Sequence, residues 1–239
     1  MEKIFSPLFF IAVIAFVVFI QPEPDVTSSN LNITDSTNTD DKKKRFFAFM
    51  RPIIDDENTK IIVLRDKLIL AKKQDDDKKF VAQIARLYST DWGTGNENWD
   101  RLLERVDMIA PELALAQSAN ESAWGQSRFA QQGNNFFGQW CYTKGCGIIP
   151  TQRSRGATHE VAQFDSVNDS VRSYIKNINT GRAYATLRKI RSKDRVAGKM
   201  PDAIAQAAGL VNYSARGEKY VNEIRSMIRV NKKLMKGDN

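Results

Sequence analysis

The sequence predicts a mainly α domain with a small β lobe, and three observations predict it. Apolar residues recur at helical spacing on both sides of the middle of the chain. The stretch between them, 134–166, has no such period. Glycines and aromatics punctuate that stretch, and HEVAQF within it alternates in the manner of a strand. Two unequal parts of this kind leave room for a cleft.

Of 239 residues, roughly the first 45 differ in character from the rest. Residues 46–239 fit one domain, long enough to bury a core without disulfides. A hydrophobic content of 42% with 27% charged residues excludes a wholly disordered chain. The net charge of +8 favours anionic partners: nucleic acid, anionic lipid or an acidic glycopeptide. One histidine and two cysteines give no basis for a His-rich or paired Cys-x-x-Cys metal site, so neither metal nor cofactor is expected. Phosphate-binding glycine loops are absent as well.

Residues 4–20 form an apolar run broken only by Ser6 and Pro7, near the lower limit of about 17–25 residues for a spanning helix. A cleaved secretory signal is the competing reading, but no small-x-small site follows the run. Lys3 precedes it, Glu23 and Asp25 follow it, and the next basic residue is Lys42. That asymmetry favours a signal anchor over residues 1–20 with the C-terminal part exported. Residues 21–45 read as a disordered tether, whose part 21–41, rich in Pro, Ser, Thr, Asn and Asp, would reach on the order of 70 Å when extended. The basic run 42–45 reads as a solvated charge cluster beside the domain, not a nucleic-acid site.

Within the domain, Ile61, Leu64, Leu68 and Ala71 define one helical face, and Phe80, Ile84 and Leu87 a second. Trp99, Leu102, Leu103, Val106 and Ile109 form a third stripe, with Asp75–Asp77 as the turn before Lys78. Pro111 opens a helix that runs to about Ser122, since its missing N–H costs nothing there. Gly125 terminates this part, and Ser127 caps a short helix containing Phe129 and Ala130. Two or three short strands follow, carrying Cys141 and Cys146, which either close a small loop in an oxidising compartment or remain two thiols. Helices resume near Ser166 with Val171, Tyr174, Ile175 and Ile178 on one face. A segment from Pro201 and a last helix with Tyr220, Val221, Ile224, Met227 and Ile228 complete the chain.

Chemistry concentrates in residues 116–137, AQSANESAWGQSRFAQQGNNFF. Glu121 stands at a helix C-terminus beside Trp124, where aromatic surface and the helix dipole both favour a retained proton. That is what a general acid acting on a glycosidic oxygen requires. The bland reading is a solvent-facing glutamate at a helix end.

The alanine-rich helix, Glu-Ser-x-Trp-Gly (Glu121, Ser122, Trp124, Gly125) and Asn-Asn-x-Phe-Gly (Asn134, Asn135, Phe137, Gly138) resemble the signature of the glucosaminidases of glycoside hydrolase family 73. WCYTKGCG, QFDS and YSARGEKYVNEI look like its Bax-type bacterial subgroup, so the resemblance covers about residue 46 to the end. It implies a lysozyme-like fold, helices around a groove with a small β lobe. It also implies cleavage of the β-1,4 bond after N-acetylglucosamine in peptidoglycan, outside the inner membrane and without nucleic acid as a partner. The oligomeric state stays open. Muramidases or lytic transglycosylases on the same fold, and a catalytically silent glycan-binding module, are the rival readings.

Carried over residue by residue, the resemblance implies Glu121 as the acid and Tyr220, with Tyr213 as the neighbouring candidate, close to the reacting sugar; the alternative for either is a core aromatic with its hydroxyl at the surface. Glu160 is the candidate second carboxylate; the alternatives are an outward strand residue there and assistance by the substrate's own acetamido oxygen. Trp124, Asn135, Phe136, Phe137 and Trp140 are expected along the sugar groove, Phe137 also as packing for the Glu121 helix and Trp124 equally as a structural residue.

Overall fold

The computed structural model describes residues 24–236 apart from Thr34, Asp35, Thr37, Thr94, Asn96, Gln152, Ser154 and Arg155. The expected anchor, residues 1–20, lies outside the described residues. Among those described, no helix is long and apolar enough to cross a membrane.

Nine α-helices and one small sheet make up the described architecture. Helix α1, Thr39–Gln74, starts where Asn38 accepts the Asp40 and Asp41 amides, and it continues through Pro52. It therefore begins before residue 46, inside the stretch expected to be a tether. The remainder of that stretch is partly built into the domain too. The Val26 amide donates to Asn168 at 3.0 Å and its carbonyl accepts from Val167 N at 2.7 Å. Ser28 N donates to Asn134, and Leu31 packs against the core. The polar composition of residues 24–33 thus serves local hydrogen bonding, which a composition count cannot distinguish from disorder.

Helices α2 (Lys78–Leu87) and α3 (Trp99–Arg105) pack beside the end of α1 in a satellite core of Leu68, Val81, Ile84, Leu102 and Val106. Helix α4 (Pro111–Glu121) has Pro111 in its first turn and buries every residue from Leu113 to Ala119. It packs against α1, α8 (Ala203–Ala207) and α9 (Glu218–Met235), so it is the central strut of the main core. Short α5 (Arg128–Gly133) is capped by Ser127, and α6 (Val167–Thr180) by Ser166. Val171, Tyr174, Ile175 and Ile178 all face the core, as their spacing predicts.

Helix α7 (Ala185–Val196) escapes the hydrophobic pattern because arginines occupy its core positions. Arg188 donates to the Ile178 and Gly181 carbonyls, and Arg191 to those of Glu104, Asp107 and Met108. Both are fully buried, and they donate to carbonyls at helix ends and in loops.

The sheet is antiparallel with order β1-β3-β2: β1 (Trp140–Cys141), β2 (Gly147–Ile148) and β3 (Glu160–Ala162). All three residues of β3 are buried, so the alternation read from HEVAQF does not mark an exposed face. Helices around a groove with a small β lobe are the arrangement expected of a lysozyme-like domain.

Candidate active site

The last turn of α4 delivers Glu121 to the mouth of a cleft between the helices and the lobe. Beyond it the chain takes an unusual course. Ala123, Trp124 and Gly125 all have positive φ, at 51°, 61° and 78°. Ser122 holds this reversal together: its hydroxyl donates to Ser118 O at 2.6 Å and accepts from Gly125 N at 2.8 Å. A Cβ on Gly125 would stand 2.4 Å from the Leu31 side chain. The Glu-Ser-x-Trp-Gly pattern is therefore the chemistry of one tight helix stop, with the acid on its last turn.

The cleft is about 720 Å³, within the range of small-molecule and sugar sites. Glu121 lines it with Phe137, Gly138, Gln139, Trp140, Tyr142 and Tyr213. Gly138, at φ 64°, passes the Glu121 carboxylate so closely that a Cβ there would lie 3.8 Å from Oε2. Trp140 is 58% exposed and Tyr142 73%, so two large aromatic faces stand open on the lobe side. Trp140 is braced from behind by His159, stacked at 4.2 Å. Exposed aromatic faces beside a carboxylic acid suit the C–H faces of pyranose rings.

Behind Glu121 runs a buried polar chain. Tyr174 Oη donates to Gln117 Oε1 at 2.7 Å, and Gln117 Nε2 donates to Tyr220 Oη at 3.0 Å. The Tyr220 hydroxyl lies next to the Glu121 carboxylate, close enough to feel its charge. Gln117 and Glu121 are one turn apart on α4, which aligns them on one face. Burial, followed by the nearby Glu121 charge, raises the Tyr220 pKa, so its hydroxyl stays a donor at any working pH. Asn120 Nδ2 adds a bond to Glu121 Oε1 at 3.2 Å.

The other expected site residues divide. Trp140 and Tyr213 line the cleft, the latter with its hydroxyl donating to Phe137 O at 2.9 Å and its ring stacked on Tyr220. Tyr220 is fully buried behind Glu121 and does not line the cleft. Trp124 turns away, edge-on to Phe46 and Phe47 at 5.6 and 5.4 Å, and Phe136 is buried against Phe46 and Phe49. Asn135 is 1% exposed and organises the loop instead, donating to Gln139 O and Ala162 O. Phe137 does both jobs expected of it: it lines the cleft and stacks on Tyr174 at 3.9 Å.

Glu160 is not among the cleft-lining residues. It is 4% exposed, and its two oxygens accept from Gly145 N at 3.0 Å and Gly147 N at 2.9 Å. Those backbone bonds hold its carboxyl below the usual range. They secure the loop closed by the Cys141–Cys146 disulfide, which carries Tyr142. Cys141, Cys146 and Glu160 lie as close together as metal ligands, but the sulfurs are committed to each other and the carboxylate to the two amides. Among the described residues lining the cleft, Glu121 is the sole carboxylate. Tyr142, Gln117 and Tyr184 were not singled out from sequence: the first lies in a loop without period, and the others have the spacing of ordinary core residues.

Comparison with known proteins finds one family across much of the chain. The profile of the Glucosaminidase family, described as mannosyl-glycoprotein endo-beta-N-acetylglucosaminidase, matches residues 96–233, from before α3 into α9. The chain is similar to Protein bax of Escherichia coli (strain K12), with 36% identity over 158 residues. That alignment covers 65% of this chain and 56% of that protein, so the chain spans little more than half the length of this curated relative. No solved structure matches the chain.

Proposed function

The chain belongs to the glucosaminidase family of glycoside hydrolases, and from that premise we propose that it cleaves the β-1,4 bond after N-acetylglucosamine in peptidoglycan, with Glu121 as general acid. One observation carries the reading. Glu121 is the sole acid among the described residues of a cleft walled by open aromatic faces, and the buried Tyr174–Gln117–Tyr220 hydrogen-bond chain ends beside it.

A single cleft carboxylate favours participation by the substrate over a second protein carboxylate. The Glu121 proton passes to the glycosidic oxygen as the C1–O bond breaks, while the acetamido carbonyl oxygen attacks C1 from the opposite face. Water then opens the resulting oxazolinium ring at C1 and returns a proton to Glu121, so the anomeric configuration is retained. Trp140 and Tyr142 carry the sugar rings, and Tyr220 acts through Glu121 as a positioning residue. Glu160 serves the lobe loop.

The test is product analysis. Purified peptidoglycan is digested with the full chain and with Glu121→Gln, and the new reducing sugar is identified by mass spectrometry. N-acetylglucosamine ends are expected, with kcat lower by about 10²–10⁴ in the variant. Muramic or anhydro-muramic ends would overturn the bond assignment, and an undiminished variant would overturn the acid.

The same reading puts the apolar run of residues 4–20 in the inner membrane and the domain in the periplasm, where a wall glycan is the polymer within reach. Intact-mass analysis of the chain recovered from membranes checks this. A product lacking those residues would replace the anchor by a cleaved signal.

A further inference from the structure

A second cleft, of about 680 Å³, lies beside the groove between α1, the end of α2 and α6. Its walls are largely apolar: Ile61, Leu64, Leu87, Tyr88 and Phe164. Leu87 is 57% exposed there, although its spacing with Phe80 and Ile84 assigns it to a buried stripe. An apolar side chain left open at the mouth of a concave surface, next to an active site, calls for an occupant.

The charges around this cleft narrow the choice. Lys60 pairs with Asp56 and Glu57, and Arg172 with Glu57 and Asp169. Lys176 has no such partner among the described residues. Its ammonium donates to the Leu87 carbonyl and lies over the Tyr88 ring, 3.8 Å from the centroid. Half-buried without a carboxylate, it is pushed down to about 8 by desolvation. An incoming carboxylate is what this ammonium lacks. Asp165, on the same cleft, limits the attraction to a ligand that is not wholly anionic.

Position supplies the rest of the argument. Ser173 lines both this cleft and the Glu121 groove. On α6, Asp169, Arg172 and Lys176 fall to one side of Ser173 and Asn177 to the other, so the two clefts are neighbours around one helix. A polymer lying in the groove would pass Ser173, from which the second cleft opens.

We propose that the second cleft receives the short peptide branch of the glycan strand whose sugars occupy the Glu121 groove, with Lys176 meeting a carboxylate of that branch. The inference rests on the peptidoglycan reading above, since it takes a glycan whose sugars carry peptides. Small aliphatic side chains of the branch pack on Leu64, Leu87 and Phe164. The cleft thereby makes the enzyme prefer peptide-bearing strands to bare glycan.

The experiment compares kcat/KM of the full chain on peptide-bearing strands and on the same strands stripped of peptide by amide cleavage. Wild type, Lys176→Gln and Leu87→Ser are measured, each with its thermal midpoint as a check of folding. Wild type is expected to favour the peptide-bearing strands. That preference should fall roughly tenfold in Lys176→Gln, the worth of one charge-assisted bond, and also fall in Leu87→Ser. Equal rates on both substrates in wild type, or an unchanged preference in both folded variants, would overturn the branch site and leave the reaction standing. A wild type that cuts neither substrate would instead sink the peptidoglycan reading, and the branch site with it.

Discussion

At the scale of single residues, Glu121 is governed by groups that a substrate never touches. Tyr220 is fully buried, and its hydroxyl accepts from Gln117 beside the Glu121 carboxylate. Tyr220→Phe keeps the ring stacked on Tyr213 and removes the hydroxyl that accepts from Gln117 and faces Glu121, a loss of about 1–3 kcal/mol. We expect kcat to fall about tenfold or more with KM little changed, because the lost contact orients the acid and does not bind sugar. Steady-state kinetics on soluble glycan fragments measures the split, and a rise in KM at constant kcat would return Tyr220 to the binding surface. Gln117→Leu strands two buried hydroxyls at once and should destabilise the protein by about 2 kcal/mol, read by urea unfolding. Glu121 was legible from the chain, since a carboxylate at a helix stop has a recognisable neighbourhood. The pair Gln117 and Tyr174 was not, because nothing in local spacing says that two helices will bring a glutamine and a tyrosine to 2.7 Å.

At the scale of elements, the β lobe is a short platform with little core of its own, and it is held by covalent and polar devices. The Cys141–Cys146 bridge closes a loop with a separation of 5 residues, for which chain entropy alone predicts about 2 kcal/mol. Glu160 secures the same loop through Gly145 and Gly147. Sequence spacing located this lobe but left the role of Glu160 open, because a strand glutamate that points at backbone amides looks no different from one that points at substrate. The sign of the Glu160 effect follows from its depressed pKa. Its contribution to stability is present above the ordinary value near 4.5 and is lost as pH falls through the lower folded value. Glu160→Gln should therefore melt below wild type at neutral pH, and the gap should close on acidification, as scanning calorimetry across pH would record. Its kcat should stay close to wild type; a loss of 10² or more would restore it to the reaction. Cys146→Ser, by freeing the loop that carries Tyr142, should raise KM more than it lowers kcat. The missed helix α7 belongs to this scale too, since its buried face is built on Arg188 and Arg191 and no apolar stripe announces it.

At the scale of the whole molecule, the segment before α1 changes where the domain can work. A free tether, with residues 21–41 extended, would let the active site range over about 70 Å. Residues 24–31 are instead fastened to the domain through Asn168, Val167, Asn134 and the Leu31 contact at Gly125. Only residues 21–23 separate that docked stretch from the apolar run ending at Ile20. With the run in the bilayer, the domain would sit against the membrane surface and reach only the glycan nearest to it. The docking depends on Asn168, which is fully buried and accepts the Val26 amide. Asn168→Ala leaves that amide without its acceptor, at a cost of about 1–3 kcal/mol to the docked segment. Limited proteolysis of the full chain should then cut within residues 24–36 at a protease concentration that leaves wild type whole, while residues 39–236 persist as a core. A cutting pattern identical to wild type would mean that the Leu31 packing holds the segment without Asn168. Cleavage spread through the core would instead make Asn168 a folding residue and remove the argument for a docked, membrane-proximal enzyme.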